Sequence, residues 1–139
     1  TNPWRPLVSL TEKITAAVET YLSGLTNKDL EAIMGLYAEH CWVEDPVGSP
    51  RKNGRAAVRA LYEAAVSMDL VATLEGEIRI AGNQAAFPFR LERKVPDGTM
   101  VLHSIDVMVF DDEGRITSMS AYFGDTNRSI EKAPPLEAP

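Results

Sequence analysis

Residues 100–110 read Met-Val-Leu-His-Ser-Ile-Asp-Val-Met-Val-Phe and place one carboxylate inside the most apolar run of the sequence. The run is rich in β-branched residues and predicts a central, largely buried strand. Side chains alternate along a strand, so Asp106 shares a face with Met100, Leu102, Ser104, Met108 and Phe110. An unpaired carboxylate on such a face costs several kcal/mol, and the usual escape is to keep its proton. A protonated acid in an apolar pocket is a hydrogen-bond donor. On the strand alone, a core Asp satisfied by a neighbour is an equal alternative, because structural networks also perturb buried acids.

The 139 residues suffice for one domain with a real core, and residues 1–139 show no internal repeat or second domain. The net charge is −6 and the basic residues are scattered, so a nucleic-acid partner is not expected. The single Cys41 cannot close an internal disulfide. With only His40 and His103 beside it, no metal-ligand spacing arises and no metal site is expected. Asp111, Asp112 and Glu113 precede Gly114 in a short turn and read as solvated rather than as a calcium loop. No apolar run approaches the ~20 residues of a membrane span, and no signal-like segment opens the sequence. No membrane association is expected, and a cytoplasmic location is the default expectation.

In chain order, Pro3 and Pro6 predict an extended lead-in over residues 1–8. Ser9 and Glu12 form a capping box. Leu10, Ile14, Ala17, Val18, Tyr21, Leu22 and Leu25 follow at helical spacing, which puts Tyr21 on the buried stripe. Taken alone, Tyr21 reads as core packing. Thr26 or Asn27 is expected to cap a second helix with Leu30, Ile33, Met34 and Tyr37 on its apolar face. Residues 41–44 predict a short strand, and Asp45-Pro46-Val47-Gly48 a turn. Asp before Pro is a common turn starter, yet Trp42, Val43 and Val47 around it allow the carboxylate to look inward. A third helix is expected over residues 55–68, with Tyr62 on its apolar face. Four strands follow, over residues 70–80 with a break near Gly76, 84–94, 100–110 and 115–123. Ala85, Phe87, Phe89 and Leu91 alternate onto one face, and Pro88 suggests an edge or a bulge. If Phe110 pairs with Arg115, Asp106 faces Met119 and Leu102 faces Phe123. Residues 124–139 read as a loose, Pro-rich tail. Helices first and strands last predict an α+β fold, a curved antiparallel sheet closed on one face by three helices around a cone-shaped apolar pocket.

Tyr21, Asp45 and Asp106 form a set suited to proton abstraction beside a carbonyl. One carboxylate stays ionised as base, while a neutral carboxyl and a phenol donate to an enolate oxygen. Spacing alone does not make them converge. The chain resembles the bacterial ketosteroid (steroid Δ5-) isomerases of the nuclear-transport-factor-2-like superfamily over about residues 10–128. The resemblance is carried by Tyr-Leu-Ser-Gly-Leu-Thr-Asn-Lys-Asp-Leu-Glu-Ala-Ile from Tyr21, Val-Glu-Asp-Pro-Val-Gly from Val43 and Ala-Leu-Tyr from Ala60. It continues in Ala-Phe-Pro-Phe-Arg from Ala86, Ile-Asp-Val-Met-Val-Phe-Asp-Asp-Glu-Gly-Arg-Ile from Ile105 and Met-Ser-Ala-Tyr-Phe-Gly from Met119.

The resemblance implies Asp45 as general base, Tyr21 as oxyanion-hole phenol and Asp106 as the protonated acid beside it. That division of roles is already established for ketosteroid isomerase. It implies Tyr37 and Tyr62 as a continuation of the hydrogen-bond chain, Phe123 as an aromatic near the base, and Phe87, Phe89 and Met119 on the steroid-pocket wall. The implied reaction converts a 3-oxo-Δ5-steroid to its Δ4 isomer through a dienolate, with no cofactor, in a homodimer. The pair His103 and Ser104, Leu61 in place of an aromatic, and the segment after Asn127 depart from the pattern and bear on substrate preference. Two alternatives stand beside this reading. One is a cyclase, dehydratase or epoxide hydrolase of the same fold; the other is a non-catalytic module binding a hydrophobic ligand.

Overall fold

The structure, a computed structural model, describes residues 8–134. The expected lead-in, apart from Val8, and the last five residues lie outside the described residues. Helix α1 (Leu10–Thr26) starts at the expected box, with the Glu12 amide donating to Ser9 Oγ at 3.1 Å. Its buried stripe is the one the spacing predicts, Ile14, Ala17, Val18, Tyr21, Leu22 and Leu25. Helix α2 (Leu30–Met34) is a single short turn. Its cap is Asp29 rather than Thr26 or Asn27, and Asp29 Oδ1 accepts from the Ala32 amide at 3.1 Å. Gly24 lets the two helices touch, since a Cβ there would lie 2.7 Å from Ile33 Cγ1. Helix α3 (Arg55–Val66) buries Val58 and Tyr62.

The strands are β1 (Tyr37–Glu44), β2 (Lys52–Asn53), β3 (Val71–Leu74), β4 (Arg79–Ala81), β5 (Gln84–Val95), β6 (Gly98–Phe110), β7 (Ile116–Tyr122) and β8 (Arg128–Lys132). They form one curved sheet in the order β2-β1-β7-β6-β5-β3, with β4 also on β5 and β8 also on β6. The fold class stands as α+β, with one correction: the sheet is mixed, because β1 runs parallel to β7. That pairing also moves Tyr37. It opens β1 instead of closing the second helix, because the Leu36 carbonyl accepts from the Ile116 amide of β7 at 2.7 Å. A tertiary backbone partner thus overrides the local helical spacing.

Three further expectations change. Asp106 pairs with Ala121, not Met119, and Met119 sits opposite Met108. The shift arises in the turn. Asp111 Oδ1 accepts from the Glu113 and Arg115 amides, so Asp111 and Arg115 close the loop, and β7 then bulges beside Val109. Leu102 correspondingly faces Arg128 of β8 rather than Phe123. The segment expected as a loose tail is therefore strand from Arg128 to Lys132. Pro88 lies inside the sheet, at neither an edge nor a bulge. Its carbonyl accepts from the Glu75 amide at 2.9 Å, so its missing N–H falls on the same side, in the gap between β3 and β4.

The three helices cover the inner face of the sheet. The core between them includes Ile14, Val18, Ile33, Val43, Phe87, Met108, Phe110, Ile116 and Met119. Among the described residues no helix is long and apolar enough to cross a membrane.

Candidate active site

The core does not fill the whole space between helices and sheet. A cavity of about 480 Å³ remains, lined by Tyr21, Asp45, Tyr62, Phe89, Asp106 and Phe123 among others. Its volume suits a small-molecule ligand. Tyr21 comes from the middle of α1, Tyr62 from α3, Asp106 from the inner face of β6, and Asp45 from the end of β1. These separate elements bring the three sequence-predicted groups, Tyr21, Asp45 and Asp106, to one pocket.

Asp106 is 1% exposed. Its Oδ1 accepts from Ser104 Oγ at 3.2 Å, and its Oδ2 has no partner among the described residues. Burial pushes its pKa well above the ordinary carboxylate value. The Asp45 charge adds to the rise, and the Ser104 hydrogen bond offsets part of it. The shift favours the protonated acid, and one of its oxygens is unengaged among the described residues. Native interiors rarely leave such an atom without a reason. Ser104 was visible in the sequence only as a same-face neighbour, and the short step along the strand turns it into a direct donor.

Asp45 is half-buried at the turn beyond β1. Burial raises its pKa too. The turn is fastened to β7 by the Val47 amide, which donates to the Ala121 carbonyl at 2.8 Å. Ala121 is also the residue opposite Asp106, so a single strand position fixes both acids.

The three tyrosines form a chain. Tyr62 donates to the Tyr21 hydroxyl across a long 3.4 Å, and Tyr37 lies 2.5 Å from Tyr62. Each phenol has one proton, so if Tyr62 gives its own to Tyr21, Tyr37 must supply Tyr62. The proton of Tyr21 is then left for the pocket. Burial first, then Asp106, holds the Tyr21 hydroxyl protonated well above its usual range. Edge-on packing of Tyr21 against both Tyr62 and Phe87 fixes the ring.

Of the expected pocket residues, Tyr62, Phe89 and Phe123 line the cavity. Tyr37, Phe87 and Met119 do not. They are fully buried behind it, where Tyr37 supports Tyr62, Phe87 backs Tyr21 and Met119 packs in the core. Met100 and Leu102, which the sequence places on the face of Asp106 without a pocket role, line the far end together with Arg93 and Arg128, which the sequence reading missed. The first two alternate with Asp106 and could have been found. Arg128 depends on β8, which composition hides. Among the described residues no group of His, Cys, Asp and Glu side chains is arranged to hold a metal ion.

The SnoaL-like domain family matches residues 18–119. The Steroid Delta-isomerase of Nocardioides simplex is 38% identical over 128 residues, covering 89% of this chain and all of that protein. The chain belongs to the SnoaL-like family and, within it, to the ketosteroid isomerases. Among solved structures, SalBIII, an epoxide hydrolase/cyclase-like enzyme of pyran ring formation in the polyether salinomycin, superposes with a TM-score of 0.80. It is 25% identical, over 87% of this chain and 98% of that one. RV0760c from Mycobacterium tuberculosis superposes with a TM-score of 0.77 at 19% identity, over 86% and 96% of the two chains, a likeness of fold alone.

Proposed function

We propose that this chain is a steroid Δ-isomerase that uses Asp45 as base and Tyr21 with Asp106 as oxyanion donors. The observation that carries the assignment is the meeting of a half-buried carboxyl, a fully buried carboxyl whose proton burial favours, and a buried phenol in one apolar pocket. A 3-oxo-Δ5-steroid binds with its carbonyl oxygen between Tyr21 and Asp106. The Asp45 carboxylate takes a proton from C4, and the electron pair moves toward the carbonyl, giving a dienolate. The two donors stabilise the developing oxygen charge, which water-excluded walls make more effective. Protonated Asp45 then returns the proton to C6, leaving the double bond at C4–C5. Atoms and electrons balance within the substrate, so the reaction calls for no redox partner.

A homodimer accompanies this reading. Ile105 and Tyr122 are about half exposed and sit opposite each other on neighbouring strands, an apolar pair on the sheet face away from the helices. Light scattering during gel filtration tests it, and a monomer at micromolar concentration would remove it.

The function is tested by mixing the protein with 5-androstene-3,17-dione and following the absorbance of the conjugated enone. Appearance of the enone supports the isomerase. Binding of the steroid with no enone would leave a binding module, and any other product a cyclase or dehydratase of the same fold.

A further inference from the structure

The far end of the pocket has a different chemistry from the end just described. On the inner face of the sheet, Arg93 of β5 sits opposite Met100, and Arg128 of β8 sits opposite Leu102. Both arginines line the cavity. Among the described residues neither has a carboxylate within ion-pair distance, although carboxylates are near. Glu92 and Glu131 are both taken by Arg90, at 3.2 and 3.0 Å. Residues 90 and 92 alternate to the opposite face of β5 from residue 93. Glu92 also lines the cavity, but its carboxylate is held by Arg90, so the two guanidinium groups stand beside an apolar floor with no carboxylate of their own among the described residues.

Their distance from the chemistry is set by the strand. At ~3.3 Å per residue, Leu102 lies about 13 Å and Met100 about 20 Å along β6 from Asp106. With its carbonyl at Tyr21 and Asp106, the four fused rings of a steroid cover the first distance. They do not cover the second. Whatever projects from the last ring therefore passes Arg128 and reaches Arg93. A guanidinium matches a carboxylate, which it can hold through two parallel hydrogen bonds.

We propose that this enzyme takes 3-oxo-Δ5-steroids whose D-ring side chain ends in a carboxylate, held by Arg93 and Arg128. The proposal rests on the isomerase reading for the direction in which the steroid lies. The apolar stem of the side chain runs over Leu102 and Met100, and the charge sits at the pocket mouth, where half-buried Arg93 and exposed Arg128 keep partial contact with water. Placing the charge there avoids the cost of burying it.

The test compares 3-oxochol-5-en-24-oate with its methyl ester, which matches it in shape and lacks the charge. In the native enzyme the acid should show kcat/KM about 10-fold above the ester, carried by KM and shrinking with added salt. The double variant Arg93→Gln/Arg128→Gln should bring the acid-to-ester ratio close to one, and Arg128→Glu should turn it below one. Equal use of acid and ester by the native enzyme overturns the proposal. So does a preference that survives the double variant. Calorimetric binding of the corresponding Δ4 acid and ester gives the same ratio without turnover. If neither compound is isomerised, the isomerase reading falls, while the binding ratio still decides the carboxylate preference.

Discussion

Two parts of this molecule each offer one aspartate to the same pocket, and they treat it in opposite ways. Around Asp106, a central strand lies between β5 and β7 under a layer of helices, and Ser104 donates to its carboxyl. Around Asp45, the chain is leaving β1 for an exposed turn in which Val47 and Gly48 reach solvent. Burial raises both pKa values, but at Asp106 the rise is larger and the charge of Asp45 adds to it. The lesson is that two identical carboxyls acquire separate roles from the depth of the backbone that carries them. In the proposed mechanism the shallow acid ionises and acts as base, and the deep one stays a donor.

The largest expected effect breaks the shallow side of that comparison. Asp45→Asn keeps the shape and removes the proton acceptor, so kcat should fall at least ~100- to 10,000-fold, with steroid affinity retained by the apolar walls. Stopped-flow turnover with a parallel equilibrium binding measurement checks both halves. A variant that kept most of its turnover would show that Asp45 is not the base.

Next in size is the deep side. Asp106→Ala removes a donor and should cost roughly 100- to 1,000-fold in kcat. Asp106→Asn keeps a donor of similar size and should lose clearly less. The order inverts at position 45, where Asn has no base to offer. Equal losses for Ala and Asn at position 106 would rule out donation from this residue.

The pH profile sharpens the same contrast. The base must be ionised, so kcat/KM should fall as pH drops through the raised pKa of Asp45. The donor must be neutral, so it should fall again as pH rises through the higher pKa of Asp106. The acids interact, and the two apparent values belong to the pair. Carbon-13 NMR of the side-chain carboxyls can follow them, and in Asp45→Asn the Asp106 resonance should titrate lower than in the native enzyme, because a like charge is gone. An Asp106 carboxyl that ionised at an ordinary acidic pH in the native enzyme would abolish the distinction.

A smaller effect is expected behind the donor. Tyr62→Phe cuts the link from Tyr37 to Tyr21 and should lower kcat by roughly 2- to 10-fold, the worth of one hydrogen bond. Unchanged turnover would reduce the tyrosine chain to packing.

The smallest effect is on stability. Asp106 binds its proton more tightly folded than unfolded. Its contribution to stability is therefore full below the ordinary carboxylate pKa and is lost as pH rises from there toward the folded value. Asp106→Asn has no such loss. The variant should melt above the native protein at pH 7, and the gap should close at pH 3. A calorimetric scan at the two pH values decides it, and an unchanged gap would mean that Asp106 is not held neutral by the fold.

The sequence by itself determined the elements whose cause is local. The α1 stripe follows from spacing and a capping box, the β5 and β6 inner faces from alternation, and the inward burial of Asp106 from its neighbours two residues away. The break at Gly76 and the turn at Asp45 were legible for the same reason. Tertiary structure decided what depends on partners distant in the chain. Tyr37 left its helical pattern because β7 offered a parallel backbone ladder to Leu36 and Tyr37. Arg128 became part of a strand because the first half of β6 had an open edge for β8 to occupy. The meeting of Tyr21, Asp45 and Asp106 in one cavity is of this second kind. Alternation and helical period fix which way a side chain points from its own element, whereas the distance between elements is set only when their buried faces pack together.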